Sequence, residues 1–318
     1  MKHVIAPNGG DFATIQAAVD AAAPGDTLLI RPGTYAERVV IHRSGLRLLA
    51  EDGAVLTGSG CAKDLTPDGR EKGTFLSATL LVLGDDVTVE NLTVRNDAGD
   101  GREVGQAVAV YAAGDRDVWR GCRFIAHQDT LFCGPVMLKV LAEIAPRGLE
   151  SVECVPSVGD CPPTRSRQYF EGCFIQGDVD FIFGPYRCWF EGCTLFMNAR
   201  GGWYTAANTP EAQPWGQVFH RCRLTGECEE GAGKLGRPWR AFASTLFLAC
   251  DMDAHVSPAG FEDWHNWDGV REITRRCGEW GTTGARRDLS VRHPRARRLT
   301  EAEAAAITPE VVLEGWRP

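Results

Sequence analysis

Phe170-Glu171-Gly172-Cys173-Phe174-Ile175 is followed twenty residues later by Phe190-Glu191-Gly192-Cys193-Thr194-Leu195. Further copies lie on either side. Trp119-Arg120-Gly121-Cys122-Arg123-Phe124 precedes the pair. Phe219-His220-Arg221-Cys222-Arg223-Leu224 and Leu248-Ala249-Cys250-Asp251-Met252 follow it. Val89-Glu90-Asn91-Leu92-Thr93-Val94 reads as an upstream relative with Asn in the Cys slot. An aromatic, a turn and a small apolar residue thus recur about every twenty to thirty residues, the length of one solenoid coil. No such coil buries its own apolar face, so successive coils must stack. The cysteines then form an internal ladder of small, burial-tolerant thiols. A disulfide set is the alternative. Equivalent positions on adjacent coils are ~4.8 Å apart, which permits a bond, though a ladder needs none. The expectation is an all-β chain folded as a right-handed parallel β-helix over roughly residues 25–285.

The flanks fit one domain spanning residues 1–318. His3 to Ala6 reads as a strand. Asp11 is placed to cap a helix running to about Ala23, with Phe12, Ile15, Val19 and Ala22 on one face. Such a short N-terminal helix suits a cap over the open end of a stack. Arg31-Pro32-Gly33-Thr34-Tyr35 reads as a turn. Val39–Ile41, Leu46–Leu49, Ala54–Thr57, Thr79–Leu83 and Val87–Val94 read as strands. Residues 133–166 break the rhythm as an insertion, with a brief helix over Leu138–Ile144 and a Cys154/Cys161 pair able to bond. Most of the later tryptophans read as packing. The arginine-rich stretch 285–298 reads as solvated, and Glu301–Ile307 as a short closing helix.

Composition removes several classes. The chain has 318 residues, 44% hydrophobic and 24% charged, which is ordinary globular content. No apolar run is long enough to span a bilayer, so no membrane is expected as partner. The net charge of −8 argues against nucleic acid and requires a local basic patch for an anionic polymer. The seven histidines show no paired metal spacing and no Cys-x-x-Cys occurs, so no metal site is expected. Met1-Lys2-His3-Val4 has no apolar h-region. No signal peptide is visible, although a mature secreted form would begin the same way.

Asp180-Phe181-Ile182-Phe183-Gly184 sets one carboxylate among apolar side chains, where its ionised form is costly unless paired. Read by itself it is an outward-facing strand residue, with Gly184 as the turn. Its company changes the reading: Asp129 in Gln128-Asp129-Thr130-Leu131, Gln106 in Gln106-Ala107-Val108-Ala109-Val110, and Arg237 in Leu235-Gly236-Arg237-Pro238-Trp239. Strand alternation places Gln106, Val108 and Val110 on one face, and Asp178, Asp180 and Ile182 on one face of another strand. A solenoid brings such distant residues together. Together they can hydrolyse an ester. A carboxylate held ionised by Arg237 can attack a carbonyl carbon. Glutamine N–H groups can receive the oxyanion. A second carboxylic acid can protonate the leaving alkoxide, then activate water. No Gly-x-Ser-x-Gly elbow is present. Two carboxylates also suit glycosidic-bond cleavage, but an oxocarbenium transition state has no oxyanion to receive.

These motifs, with Asp11 to Gln16 and Gly33-Thr34-Tyr35-Ala36-Glu37, resemble the pectin methylesterase (pectinesterase) family in order and over most of the chain. The resemblance implies a right-handed parallel β-helix that hydrolyses methyl esters of galacturonate in pectin or methylated oligogalacturonates, releasing methanol. It implies Asp180 as nucleophile, Asp129 as general acid then base, Gln128 as main oxyanion donor with Gln106 assisting, and Arg237 as partner of the nucleophile. It implies that Trp239 stacks on the sugar and Phe183 lines the groove. It implies no cofactor, and a monomer is expected. Phe132 departs from the family's usual Tyr, losing a hydroxyl near the groove. The 133–166 insertion lies where it can cover the cleft, which suits short oligomers. The alternatives are a glycosidic-bond hydrolase or lyase on the same scaffold, and a non-catalytic carbohydrate-binding β-helix.

Overall fold

The repeat is one coil of three strands. In a computed structural model describing residues 1–144, 154–155, 167–266, 269–271 and 276–318, a representative coil runs Arg167–Glu171, Phe174–Gly177, Ile182–Gly184. Each of its strands joins a different sheet. Among the described residues these sheets have eleven, nine and seven strands, and neighbouring coils pair in parallel. The chain is a right-handed parallel β-helix. Pairing is in register with the sequence repeat: Phe170 lies opposite Phe190, and Phe174 opposite Thr194.

That register stacks like on like inside the coil. Trp119, Phe170, Phe190, Phe219 and Phe247 form a column, with successive centroids 5.9, 4.5, 4.4 and 4.7 Å apart and rings within 12° of parallel. Beside it, Cys122, Cys173, Cys193, Cys222 and Cys250 are buried free thiols. Each lies 3.3–3.7 Å from a carbonyl of the preceding coil, Val89, Trp119, Phe170, Phe190 and Phe219 in turn. The ladder of thiols is therefore present, its sulfurs in contact with backbone carbonyls and with the thiols of neighbouring coils, and no bond joins them. The Cys154/Cys161 pairing lies outside the described residues.

The turn between the first two strands of each coil corrects the upstream relative. Its left-handed position is held by Asn91, Gly121, Gly172, Gly192, Arg221 and Ala249, with φ between 52° and 60°. Asn91 fills the glycine slot, and Leu92, fully buried, fills the cysteine slot. Asn tolerates this conformation better than other side chains except Gly. The same turn divides the expected Val87–Val94 strand into Thr88–Glu90 and Thr93–Asn96.

The N-terminal helix is Ile15–Ala21 and buries Ile15, Ala18 and Val19. Its cap is Thr14, not Asp11, and the Glu37 carboxylate accepts from Ile15 N and Gln16 N at 2.7 and 3.0 Å. Asp11 accepts from Val4 N instead. The Gly33 turn is mostly strand, Gly33–Ala36, paired in parallel with Ala54–Thr57. Nor is the arginine-rich stretch wholly solvated. Arg292 is 5% exposed and donates to both Glu279 oxygens, at 2.7 and 3.1 Å. Its partner is 13 residues away on strand Gly278–Trp280, so local sequence does not reveal it. The expected closing helix is Glu301–Ala305, followed by Pro309–Val312; both pack near Trp189, Val218 and Leu246.

In the insertion, Val136–Met137 pairs with Cys154–Val155, and Leu138–Ile144 is the expected helix. Val136, Met137, Val140 and Val155 pack with Leu81, Tyr111, Phe132 and Phe183, on the side of the seven-stranded sheet away from the coil interior.

Truncating the aromatic column tests this packing. Phe190→Ala, with a ring stacked on both sides, is expected to cost about 3–5 kcal/mol. Denaturant unfolding should show a large fall in midpoint; a fall within error of wild type would contradict the column's role.

Candidate active site

The connection from the nine-stranded to the seven-stranded sheet carries both candidate carboxyls. In two successive coils it holds an aspartate in the left-handed region, Asp129 at φ 66° and Asp180 at φ 51°. Asp is among the few non-glycine residues that enter this region readily. Asp129 N donates to Val179 O at 3.0 Å and Asp178 N to His127 O at 3.0 Å, so the two turns lie directly against each other. Ala107 N donates to Gln128 O at 3.1 Å, placing Gln106 one coil further along. On the other side Arg237 follows strand Gly233–Gly236, one strand beyond Gly202–Ala207, which pairs with Ile182–Gly184. At ~4.8 Å per strand, residues 131 positions apart in sequence fall within about 20 Å.

Two details of the alternation reading are corrected. Ala109 N and Val110 N both donate to Thr130 O, at 2.9 and 3.1 Å, a bulge-like pairing. Val108 consequently faces the outer cluster and Val110 the coil interior. Asp178 and Asp180 are not on one strand face either. They precede Ile182–Gly184, and the φ of Asp180 turns their side chains apart. Gly184 is a strand residue, not the turn.

Asp180 is 7% exposed and grips Arg237 at two points: Nε donates to Oδ1 at 2.9 Å and Nη2 to Oδ2 at 2.7 Å. Fork-to-fork geometry of this kind fixes orientation as well as charge. The guanidinium is itself held between two indoles, 3.7 Å above the Trp203 centroid and 4.3 Å from that of Trp264. Burial raises the Asp180 pKa above the usual carboxylate value, Arg237 opposes the rise, and Glu262 adds to it. Asp129 is different. It is 8% exposed, and no described donor bonds its carboxyl. Burial first, then the charges of Asp180 and Asp178, push its pKa well above the usual value, with Arg237 only partly opposing. The two carboxyls are thus unlike: one gripped by a cation, the other buried beside an anion. That is how neighbouring carboxyls come to hold different protonation states.

Gln106 and Gln128 are half-buried, and neither carboxamide is hydrogen-bonded to another described residue. Trp239 is half-buried, its ring 6.1 Å from that of Phe183, which is buried against Phe132 at 4.8 Å. Phe132 is itself fully buried, and a Cβ on Gly134 would lie 2.3 Å from its Cζ. All the residues singled out by sequence are therefore gathered on one corner of the helix. Sequence does not mark Trp203 and Trp264 as functional, because a lone tryptophan is usually packing and nothing local distinguishes these two. Among the described residues no group of three or more His, Cys, Asp or Glu is placed to hold a metal ion.

An ion-paired carboxylate, a second carboxyl buried beside it with its pKa pushed up, and two free amides on a parallel β-helix define a carboxylic ester hydrolase of the solenoid type. The pectinesterase family model matches residues 2–135 and 163–315, omitting most of the insertion, and the chain belongs to the pectinesterase family. Pectinesterase 31 of Arabidopsis thaliana is 28% identical over 317 residues, covering 96% of this chain and 89% of the relative. The pectin methylesterase PemA of Erwinia chrysanthemi superposes with a TM-score of 0.81 at 28% identity, covering 99% of this chain and 98% of the other. A pectin methylesterase crystallised with a hexasaccharide gives the same TM-score, identity and coverage. The chain is accordingly an enzyme, a pectin methylesterase.

Removing the guanidinium separates the two carboxyls' behaviour. In Arg237→Ala the Asp180 pKa rises further, because Arg237 lowers it in the intact site. A group needed ionised then becomes active only at higher pH, so the acid limb of the pH–rate profile moves upward. The rate falls by about a hundredfold or more. An unmoved acid limb would show that Arg237 does not act through Asp180.

Proposed function

We propose that Asp180 is the nucleophile and Asp129 the general acid and base in hydrolysis of galacturonate methyl esters. The observation that carries this reading is the two-point Arg237 grip on Asp180, one coil from an unpaired, buried Asp129. The ionised Asp180 oxygen attacks the ester carbonyl. The carbonyl oxygen becomes an oxyanion, received by the Gln128 and Gln106 amides. Collapse expels methoxide, which takes the Asp129 proton and leaves as methanol, giving a mixed anhydride on Asp180. Asp129, now a carboxylate, takes a proton from water as the water attacks the anhydride. This frees the galacturonic acid carboxyl, which gives its proton to bulk water, and restores Asp180 as carboxylate and Asp129 as acid.

Trp239 offers a half-buried ring for stacking on the sugar, and Phe183 lies beneath it. Methylated pectin or its oligomers are the substrate of this reading. A related methylesterase is crystallised with a hexasaccharide, and the corner that holds these residues runs across successive coils. Insertion residues on the same side of the seven-stranded sheet favour short substrates.

Methanol release from highly methylated pectin and from short methylated oligogalacturonates tests the assignment, with Asp180→Asn beside wild type. The expected result is methanol from wild type, a loss of at least about a thousandfold in the variant, and no chain shortening. Wild-type-like rates in the variant would remove Asp180 from the chemistry. Chain shortening would support the glycosidic alternative. A best rate on long pectin would contradict the short-substrate preference.

A further inference from the structure

Behind the two carboxylates runs a chain of charged groups that this chemistry does not use. His127 Nδ1 lies 2.9 Å from Asp178 Oδ2, and Asp178 is fully buried. The other Asp178 oxygen accepts from Val179 N at 2.8 Å and lies 4.0 Å from Arg200 Nη1. Asn198 Nδ2 is 3.4 Å from Asp178 Oδ2 and donates to Ala126 O at 3.1 Å. Arg200 Nη1 is also 3.3 Å from Asp100 Oδ1. Asp100 caps the short helix Gly101–Val104 and pairs with Arg102.

Position gives this chain its meaning. His127 immediately precedes Gln128-Asp129, and Asp178 stands two residues before Asp180. Their side chains cross the same junction that the two backbone bonds between these turns cross. At the far end, Gly101 presses on Gln128: a Cβ there would lie 2.6 Å from Gln128 Oε1 and 2.8 Å from its Cβ. Both catalytic turns contain a left-handed aspartate, a conformation that persists only when its surroundings hold it. We infer that His127 and Asp178 are positioning residues that lock the Gln128-Asp129 turn to the Asp180 turn, with Arg200 and Asp100 extending the constraint to the segment against Gln128.

A fully buried carboxylate such as Asp178 is a costly way to pack, and its His127 partner is only half-buried. Here the charge also acts on the chemistry. The Asp178 carboxylate adds to the rise in the Asp129 pKa, alongside burial and Asp180 and against Arg237. Asp178 likewise holds a proton on His127; Asp100 assists, while burial and Arg200 oppose.

This inference rests on the esterase reading, and methanol release by wild type in the same assay separates the failure of one from the failure of the other. Asp178→Asn, His127→Gln, the double variant and Arg200→Gln are compared by kcat, KM, pH–rate profile and thermal unfolding. Asp178→Asn is expected to lower kcat about ten- to a hundredfold with KM little changed, the cost of slight misplacement. Its alkaline limb, where Asp129 must keep its proton, moves to lower pH because one raising charge is gone. The double variant is no worse than the worse single variant, as for groups acting as one unit. Should Asp178→Asn not fold, His127→Gln and Arg200→Gln read the same chain through kcat at unchanged KM. Wild-type kcat in the folded variants, additive losses, or an unmoved alkaline limb in folded Asp178→Asn would overturn the inference.

Discussion

Phe170 opposite Phe190 and Glu171 opposite Glu191 express the constraint on which the molecule depends: parallel strands stacked in register, one coil on the next. Hydrogen bonding between coils fixes the spacing, and the aromatic column and thiol ladder fix the phase, since a slip by one residue would turn the interior set outward. The same register places Gln106, Asp129, Asp180 and Arg237 along one corner. The candidate active site is thus a consequence of the stack. Its residues come from separate coils, and no loop has to fold back to collect them.

On that corner the chemistry is electrostatic. Both aspartates are buried, and burial acts upward on each. Arg237 touches only one of them, and the second feels the charge of the first. A single guanidinium held between Trp203 and Trp264 therefore makes two chemically identical side chains unequal. Inequality is what a nucleophile and an acid require of two aspartates. Beside them, the His127–Asp178 pair and its neighbours add charge and rigidity, which ties local pKa values to the placement of the turns.

Much of this was legible in the sequence because the repeat is short and strict. The aromatic-turn-cysteine pattern reports the coil, and motifs that recur in family order report the corner. What escaped was whatever depends on a partner in another coil or on a dihedral angle. Arg292 reads as solvated until Glu279 is placed beside it. Asp11 reads as a helix cap until Val4 claims it. Asn91 was set in the cysteine slot because its φ, not its chemistry, defines its place. Alternation failed at Val108 and Asp178 because a bulge and a left-handed residue reset the count. Trp203 and Trp264 carry no local mark of the cation between them.

The unequal protonation of the two aspartates can be measured without any substrate. Carboxyl-carbon NMR titration of aspartate-labelled enzyme, assigned with Asp129→Asn and Asp180→Asn, follows both groups directly. The two titrate as an interacting pair, so the order of proton loss is the decisive quantity. The account predicts that Asp180 loses its proton first and that Asp129 keeps one to well above the usual carboxylate range. Loss of the Asp129 proton before that of Asp180 would contradict the division of roles.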